Sequence, residues 1–220
     1  MKSIRGNRIR KRNDGATLVE MIVTFALLSI FLVAAAAIIG AVTNLYFRIK
    51  SETYSKQVSD IILEKVSSEV DGAEYTPRST IGNPTICDAS GNEETSGIGL
   101  RMDLYDKTDT HVQVYAENNE LIVHYYSLTK DGVEYNATDW KLQESVYNGF
   151  MIDSLTFVRG DKLADFTDKS DYGLTSSGSY GSNVIVVFLK LHSERYGDYY
   201  TYRFVKMYNV PDTSSSGGGA

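Results

Sequence analysis

Cysteine, proline and internal charge are scarce in this chain of 220 residues. Its one cysteine, Cys87, excludes an intrachain disulfide, and no Cys-x-x-Cys or Cys/His spacing points to a metal centre. Three prolines against 16 tyrosines describe an ordered, strand-rich body and exclude a disordered one. The nucleophile-elbow, phosphate-loop, zinc-helix and dinucleotide fingerprints are all missing, so no residue pattern argues for an enzyme or for a bound cofactor. Charge is absent altogether from Met21 to Val42, a run in which Thr24 and Ser29 are the only polar side chains.

What charge there is lies unevenly. The net charge is -6, yet residues 1–15 hold Lys2, Arg5, Arg8, Arg10, Lys11 and Arg12 against Asp14 alone. A leader of net +5 therefore precedes a body of net -11. An acidic body argues against nucleic acid as its partner. A basic leader ahead of an apolar run argues for a segment held on the cytoplasmic side of a membrane. At about 1.5 Å rise per residue, Met21 to Val42 reaches roughly 33 Å, enough to cross a hydrocarbon core of about 30 Å. Thr24 and Ser29 can each bond back to the preceding helical turn, so neither is costly in lipid.

Beyond the apolar run the helical period persists on one face. Tyr54, Val58, Ile62, Val66 and Val70 form an i+4 stripe flanked by Phe47 and Ile61, and Asp71-Gly72 supplies a stop. Residues 16–72 are thus expected as one helix, apolar all round and then amphipathic. Residues 73–97 hold Pro77, Pro84 and turn formers without periodicity and are expected as a loop. From Ile98 the period becomes two. Ile98–Asp106, His111–Ala116 and Glu120–Leu128 alternate, separated by "KTDT" and "ENN". Shorter strands are expected at Val133–Asn136 and Trp140–Gln143, and a further one in Phe150–Gly160. Residues 160–183 are expected as a long loop. Asn183–Ser193 and Asp198–Val210 are expected as a hairpin through "ERYG". The fold class is therefore α+β: a long N-terminal helix on an antiparallel β-rich head spanning 98–211, with a low-complexity, disordered tail at 212–220.

Three readings compete for Arg10–Phe25, where a basic run ends at Gly15 and Glu20 stands at the edge of the apolar run. A plain membrane anchor uses Thr17-Leu-Val-Glu20 as a capping box, satisfying the first free N–H groups of the helix. A secretory signal peptide would be cut near Ala34–Ala37, but the apolar run is longer than the usual h-region of about 7–15 residues. The third reading is a resemblance. The basic leader, Gly15, Ala16, Thr17-Leu18-Val19-Glu20-Met21 and the apolar helix together resemble the cleavage and methylation signature of type IV prepilins and type II secretion pseudopilins.

That resemblance implies a structural subunit and no enzyme. A prepilin peptidase would cut between Gly15 and Ala16 and methylate the new α-amine of Ala16. Glu20 would pair with the Ala16 ammonium of a neighbouring subunit, which satisfies two charges that are otherwise expensive to bury. The partners implied are the peptidase, other pilin or pseudopilin subunits, an inner-membrane assembly platform with its ATPase, and membrane lipid before assembly. The subunit would sit in the cytoplasmic membrane with its N-terminus inside and its head outside, then pass into a surface or periplasmic filament. Gln57–Tyr75 resembles the stem of the larger minor, J-type subunits, and the presence of Glu20 argues against the K-type tip subunit. Two departures stand out: Ala16 occupies a position that is usually aromatic, and the span lacks a kinking proline, leaving Gly40 as its helix-weakening residue.

Asp161, Asp165, Asp168 and Asp171 are a Ca²⁺ candidate without EF-hand spacing, and a solvated, flexible loop explains them equally. The tyrosine-rich "HYY" and "DYYTYR" are read as half-buried strand residues, with aromatic contact to a glycan as the alternative. Cys87 has no basic neighbour in sequence that would make it a nucleophile.

Overall fold

The computed structural model describes residues 17–75, 84–130, 133–175, 178 and 180–212. Among the described residues a single α-helix, α1, runs from Leu18 to Asp71, and eleven strands follow it. The chain divides within α1 into two compact units, 1–48 and 49–220. This is the α+β layout expected for a pilin-like subunit.

The described part of the first unit is helix alone, and its large apolar side chains stand in the open: Phe25 is 62% exposed, Phe31 68% and Ile39 65%. The second unit begins with the amphipathic turns of α1. Val58, Ile62, Val66 and Val70 are fully buried there, and Tyr54 packs beside them. The stripe differs from expectation on its flank. Ile61 is 41% exposed, and Leu63 with Ser55 and Ser59 completes the buried face instead. Successive helical residues turn through about 100°, so Ile61 and Leu63 fall on opposite sides of Ile62, and only one can face the sheet. The two serines occupy little volume and turn their hydroxyls back to Glu52 O and Lys56 O.

The head contains two antiparallel sheets. The first has the order β1-β3-β4-β5-β8, and the second β11-β10-β9-β2. Their strands are β1 (Thr85–Cys87), β2 (Ile98–Gly99), β3 (Arg101–Tyr105), β4 (His111–Glu117), β5 (Glu120–Tyr125), β8 (Thr138–Lys141), β9 (Met151–Arg159), β10 (Val184–Ser193) and β11 (Gly197–Lys206). A small hairpin, β6 (Leu128–Lys130) with β7 (Val133–Tyr135), stands apart. The main core joins α1 to both sheets through Leu104, Val114, Val123, Phe157, Val187 and Leu189. The β4–β5 turn is built on Asn118 and Asn119, both at positive φ (51° and 67°), as a tight two-residue hairpin demands.

Several expected elements need correction. The segment 73–97 is not all loop, because β1 lies within it and closes one edge of the first sheet. Gly99 permits this: a Cβ there would meet the Cys87 carbonyl oxygen and the Ile86 side chain. The strand expected at Trp140–Gln143 sits two residues earlier, at Thr138–Lys141, where it pairs with β5. Residues 160–183 are not an open loop among their described positions. They form two 3₁₀ turns, Gly160–Lys162 and Thr167–Ser170, and lay Leu163, Phe166 and Leu174 over Val158, Val186 and Phe188. The second sheet is therefore covered on both faces, which explains the unbroken apolar run Val184–Leu189 in β10.

Candidate functional site

The mouth of α1 carries the first candidate. The Thr17 backbone N–H donates to Glu20 Oε2 at 2.9 Å, and the Thr17 hydroxyl lies 3.2 Å from the same oxygen. In return the Glu20 N–H donates to Thr17 Oγ1 at 3.3 Å. This reciprocal pair is a capping box, and it also sets an acidic group against the positive end of the helix dipole. Further in, the Thr24 hydroxyl donates to Glu20 O at 2.6 Å and the Ser29 hydroxyl to Phe25 O at 2.8 Å. Both hydroxyls of the span are thus consumed by its own backbone. Gly15 and Ala16, with the rest of the leader, lie outside the described residues. By length and composition, α1 holds one stretch able to cross a membrane.

A second constellation clamps α1 to the first sheet. Lys65 Nζ donates to Glu69 Oε1 at 2.5 Å and to the Tyr125 hydroxyl at 3.0 Å, and that hydroxyl donates to Glu69 Oε1 at 2.8 Å. The ammonium also lies 4.7 Å above the Trp140 ring. Burial pulls the Lys65 pKa down, but Glu69 and Tyr125 outweigh it and hold the group above its ordinary value. Burial likewise raises the Tyr125 phenol. The i,i+4 spacing of Lys65 and Glu69 is visible in the sequence, whereas the partnership with Tyr125 crosses from helix to sheet and left no local sign.

The acidic candidates do not converge. Asp161 forms a two-point ion pair with Arg159, at 2.6 and 3.2 Å. Asp168 accepts a 2.8 Å bond from the Thr167 hydroxyl, and the Asp165 and Asp171 backbone N–H groups close turns onto Lys162 O and Asp168 O. Among the described residues, no group of three or more His, Cys, Asp or Glu is placed to hold a metal ion. The segment carrying them is anchored by its apolar residues, so the open, solvated loop is corrected to a packed flap.

Each histidine stands beside an aspartate on an outer sheet face. His124 Nδ1 lies 2.5 Å from Asp139 Oδ1, and His192 Nδ1 lies 2.6 Å from Asp198 Oδ1. His111 stacks between Tyr105 and Tyr126, with Nε2 3.7 Å from Asp103 Oδ1. Cys87 is buried with Sγ 3.7 Å from Asp103 Oδ2. Burial, and then the Asp103 charge, push its thiol up to about 12, which leaves it protonated and unreactive at neutral pH. A depression of about 140 Å³ lined by Ile86, Glu93, Glu94, Arg159 and Ser182 is smaller than the roughly 300–1,000 Å³ of ligand pockets.

Residues 10–36 match the family model of the prokaryotic N-terminal methylation motif. The match spans the leader's end, the Gly15–Ala16 bond, the capping box and the first turns of the apolar helix, and it supports a pilin- or pseudopilin-type subunit. No curated protein matches the chain.

Proposed function

We propose that the chain is a structural subunit, and a minor one, of a filament of the type IV pilus or type II secretion class. The observation that carries this reading is the placement of Glu20. It lies inside a matched methylation motif, at the mouth of a helix whose large apolar side chains stand exposed from Leu18 to Ile49. In this reading a prepilin peptidase cuts between Gly15 and Ala16 at the cytoplasmic face and methylates the Ala16 amine. The residues from Ala16 onward stay in the membrane with the head outside until the assembly platform and its ATPase move them into the filament. In the filament bundle Glu20 then meets the Ala16 ammonium of a neighbour and fixes the axial stagger. The long β-rich head and the stem Gln57–Tyr75 favour a J-type-like minor position.

The capping box also supports a second reading: a single-pass anchor for a surface-binding head that never polymerises. In that case Glu20 serves only its own helix, and Glu20→Ala costs about 1 kcal/mol of local stability. In the filament reading, Glu20→Ala leaves the membrane-inserted subunit at normal abundance and abolishes its incorporation. Intact mass and N-terminal peptide mapping of the chain from its native membrane decide the first step. A chain that begins at methylated Ala16 supports processing, and one that retains its leader overturns it.

A further inference from the structure

Edge length separates one strand of the head from the others. The first sheet ends on β1 and β8, of three and four residues, and the second ends on β2, of two. Edges this short offer little backbone to an incoming strand. The remaining edge of these two sheets is β11, ten residues without proline, in unbroken register with β10 and, among the described residues, paired with no other strand. Its second row of N–H and C=O groups is a pairing template interrupted by neither proline nor bulge, with charges at Asp198, Arg203 and Lys206 along it.

The side chains on this edge are complementary to themselves. Pairing with β10 places Asp198, Tyr200, Tyr202, Phe204 and Lys206 on one face, with Tyr200 and Phe204 36% and 37% exposed. An antiparallel copy centred on Tyr202 sets Asp198 opposite Lys206, Tyr200 opposite Phe204, and Tyr202 opposite itself. Moving the centre to Thr201 sets Asp198 against Phe204. Moving it to Arg203 sets two arginines face to face, which is destabilising. One register is therefore favoured over its neighbours. We propose that β11 is the docking edge for β11 of a second copy of this chain, the two strands paired antiparallel about a two-fold axis at Tyr202.

The parts divide the work. Asp198 is already engaged by His192 and by Lys190, at 2.6 and 3.4 Å, and exposed ion pairs contribute little, so the Lys206 contacts select register. Ladder hydrogen bonds and the central aromatic pairs hold the strands together. The same patch meets itself, so the contact closes as a dimer.

Cysteine cross-linking of the full chain in membranes tests the proposal, with Cys87→Ala to remove the native thiol. Directly opposed residues of antiparallel strands have Cα atoms about 4.5–5.5 Å apart, within disulfide reach. Tyr202→Cys is therefore expected to give a disulfide-linked dimer. Tyr200→Cys and Phe204→Cys chains are expected to link when mixed. Tyr200→Cys alone does not link, because its copy lies about 13 Å away along the strand. Lys206→Glu lowers the Tyr202→Cys yield by about threefold or more. No dimer at Tyr202→Cys, or equal linking by Tyr200→Cys alone, overturns the pairing. Repetition in the Glu20→Ala background separates this contact from filament packing. A dimer that persists there belongs to the β11 edge, and one that disappears with Glu20 overturns the proposal.

Discussion

Replacing Ile62 with alanine deletes an ethyl and a methyl group from a side chain with no exposed surface, wedged between α1 and both sheets. At about 0.8 kcal/mol per buried carbon the transfer loss is roughly 2.4 kcal/mol, and the cavity left behind raises the total to about 3–4 kcal/mol. The adjacent Ile61 is 41% exposed. Its replacement loses little burial and gains helix propensity, so the net change stays below about 0.5 kcal/mol. Trp140, the chain's one tryptophan, packs against the same core and reports its unfolding by fluorescence. In a urea titration of the full chain in detergent, at a slope of about 2 kcal/mol/M, the Ile62→Ala midpoint falls by about 1.5–2 M and the Ile61→Ala midpoint by less than about 0.3 M. Equal shifts for the two variants would refute the assignment of the buried helix face.

The clamp on α1 predicts that Tyr125→Phe costs about 1–2 kcal/mol and Glu69→Ala more, since the latter strands both Lys65 and the Tyr125 hydroxyl. Additive losses in the double variant, read by the same titration, would contradict the shared network. With its thiol pushed up to about 12 by burial and Asp103, Cys87 resists thiol reagents in the folded chain at about pH 8 and reacts only after denaturant is added. Rapid labelling of the folded chain would show that the site opens. Asp198 is held below the usual carboxylate range by His192 and Lys190. Its contribution is present above the unfolded value of about 3.9 and fades as pH falls through the folded one. Asp198→Asn should lower Tm near neutral pH, and the difference should shrink as pH falls below the ordinary carboxylate range. A Tm difference that does not change with pH would argue against the assignment.

How legible each element was depended on how local its cause is. The capping box at Thr17 and Glu20 could be read because both partners lie within one helical turn. The hairpin of β10 and β11 could be read because ten consecutive residues keep one register. The strand β1 escaped because Thr85–Cys87 is too short to show alternation, and β6 escaped because "SL" simply extends the pattern of β5. Around β8, Trp140 anchors either frame, and only pairing with Ile122–Tyr125 chooses between them. The flap over the second sheet escaped for a different reason. Leu163, Phe166 and Leu174 follow no helical or strand period, and what buries them is the far face of β9 and β10, which no local window contains. The site at the helix mouth was therefore visible from its neighbours in sequence, whereas the Lys65–Glu69–Tyr125 clamp required the tertiary fold.

The inward-turned hydroxyls of Thr24 and Ser29 have a consequence for recognition. From Met21 to Val42 they are the only polar side chains, and both already donate to carbonyls of their own helix. Within that stretch the exposed apolar surface therefore offers a partner nothing beyond shape. One apolar helix distinguishes another there only by bumps and hollows, while the single charged letter, Glu20, is spelled at one end. Aliphatic residues along the span can be exchanged for one another with little loss of meaning. Polar contacts that could set this helix apart from a similar one lie outside that stretch, at Glu20 and from Thr43 onward.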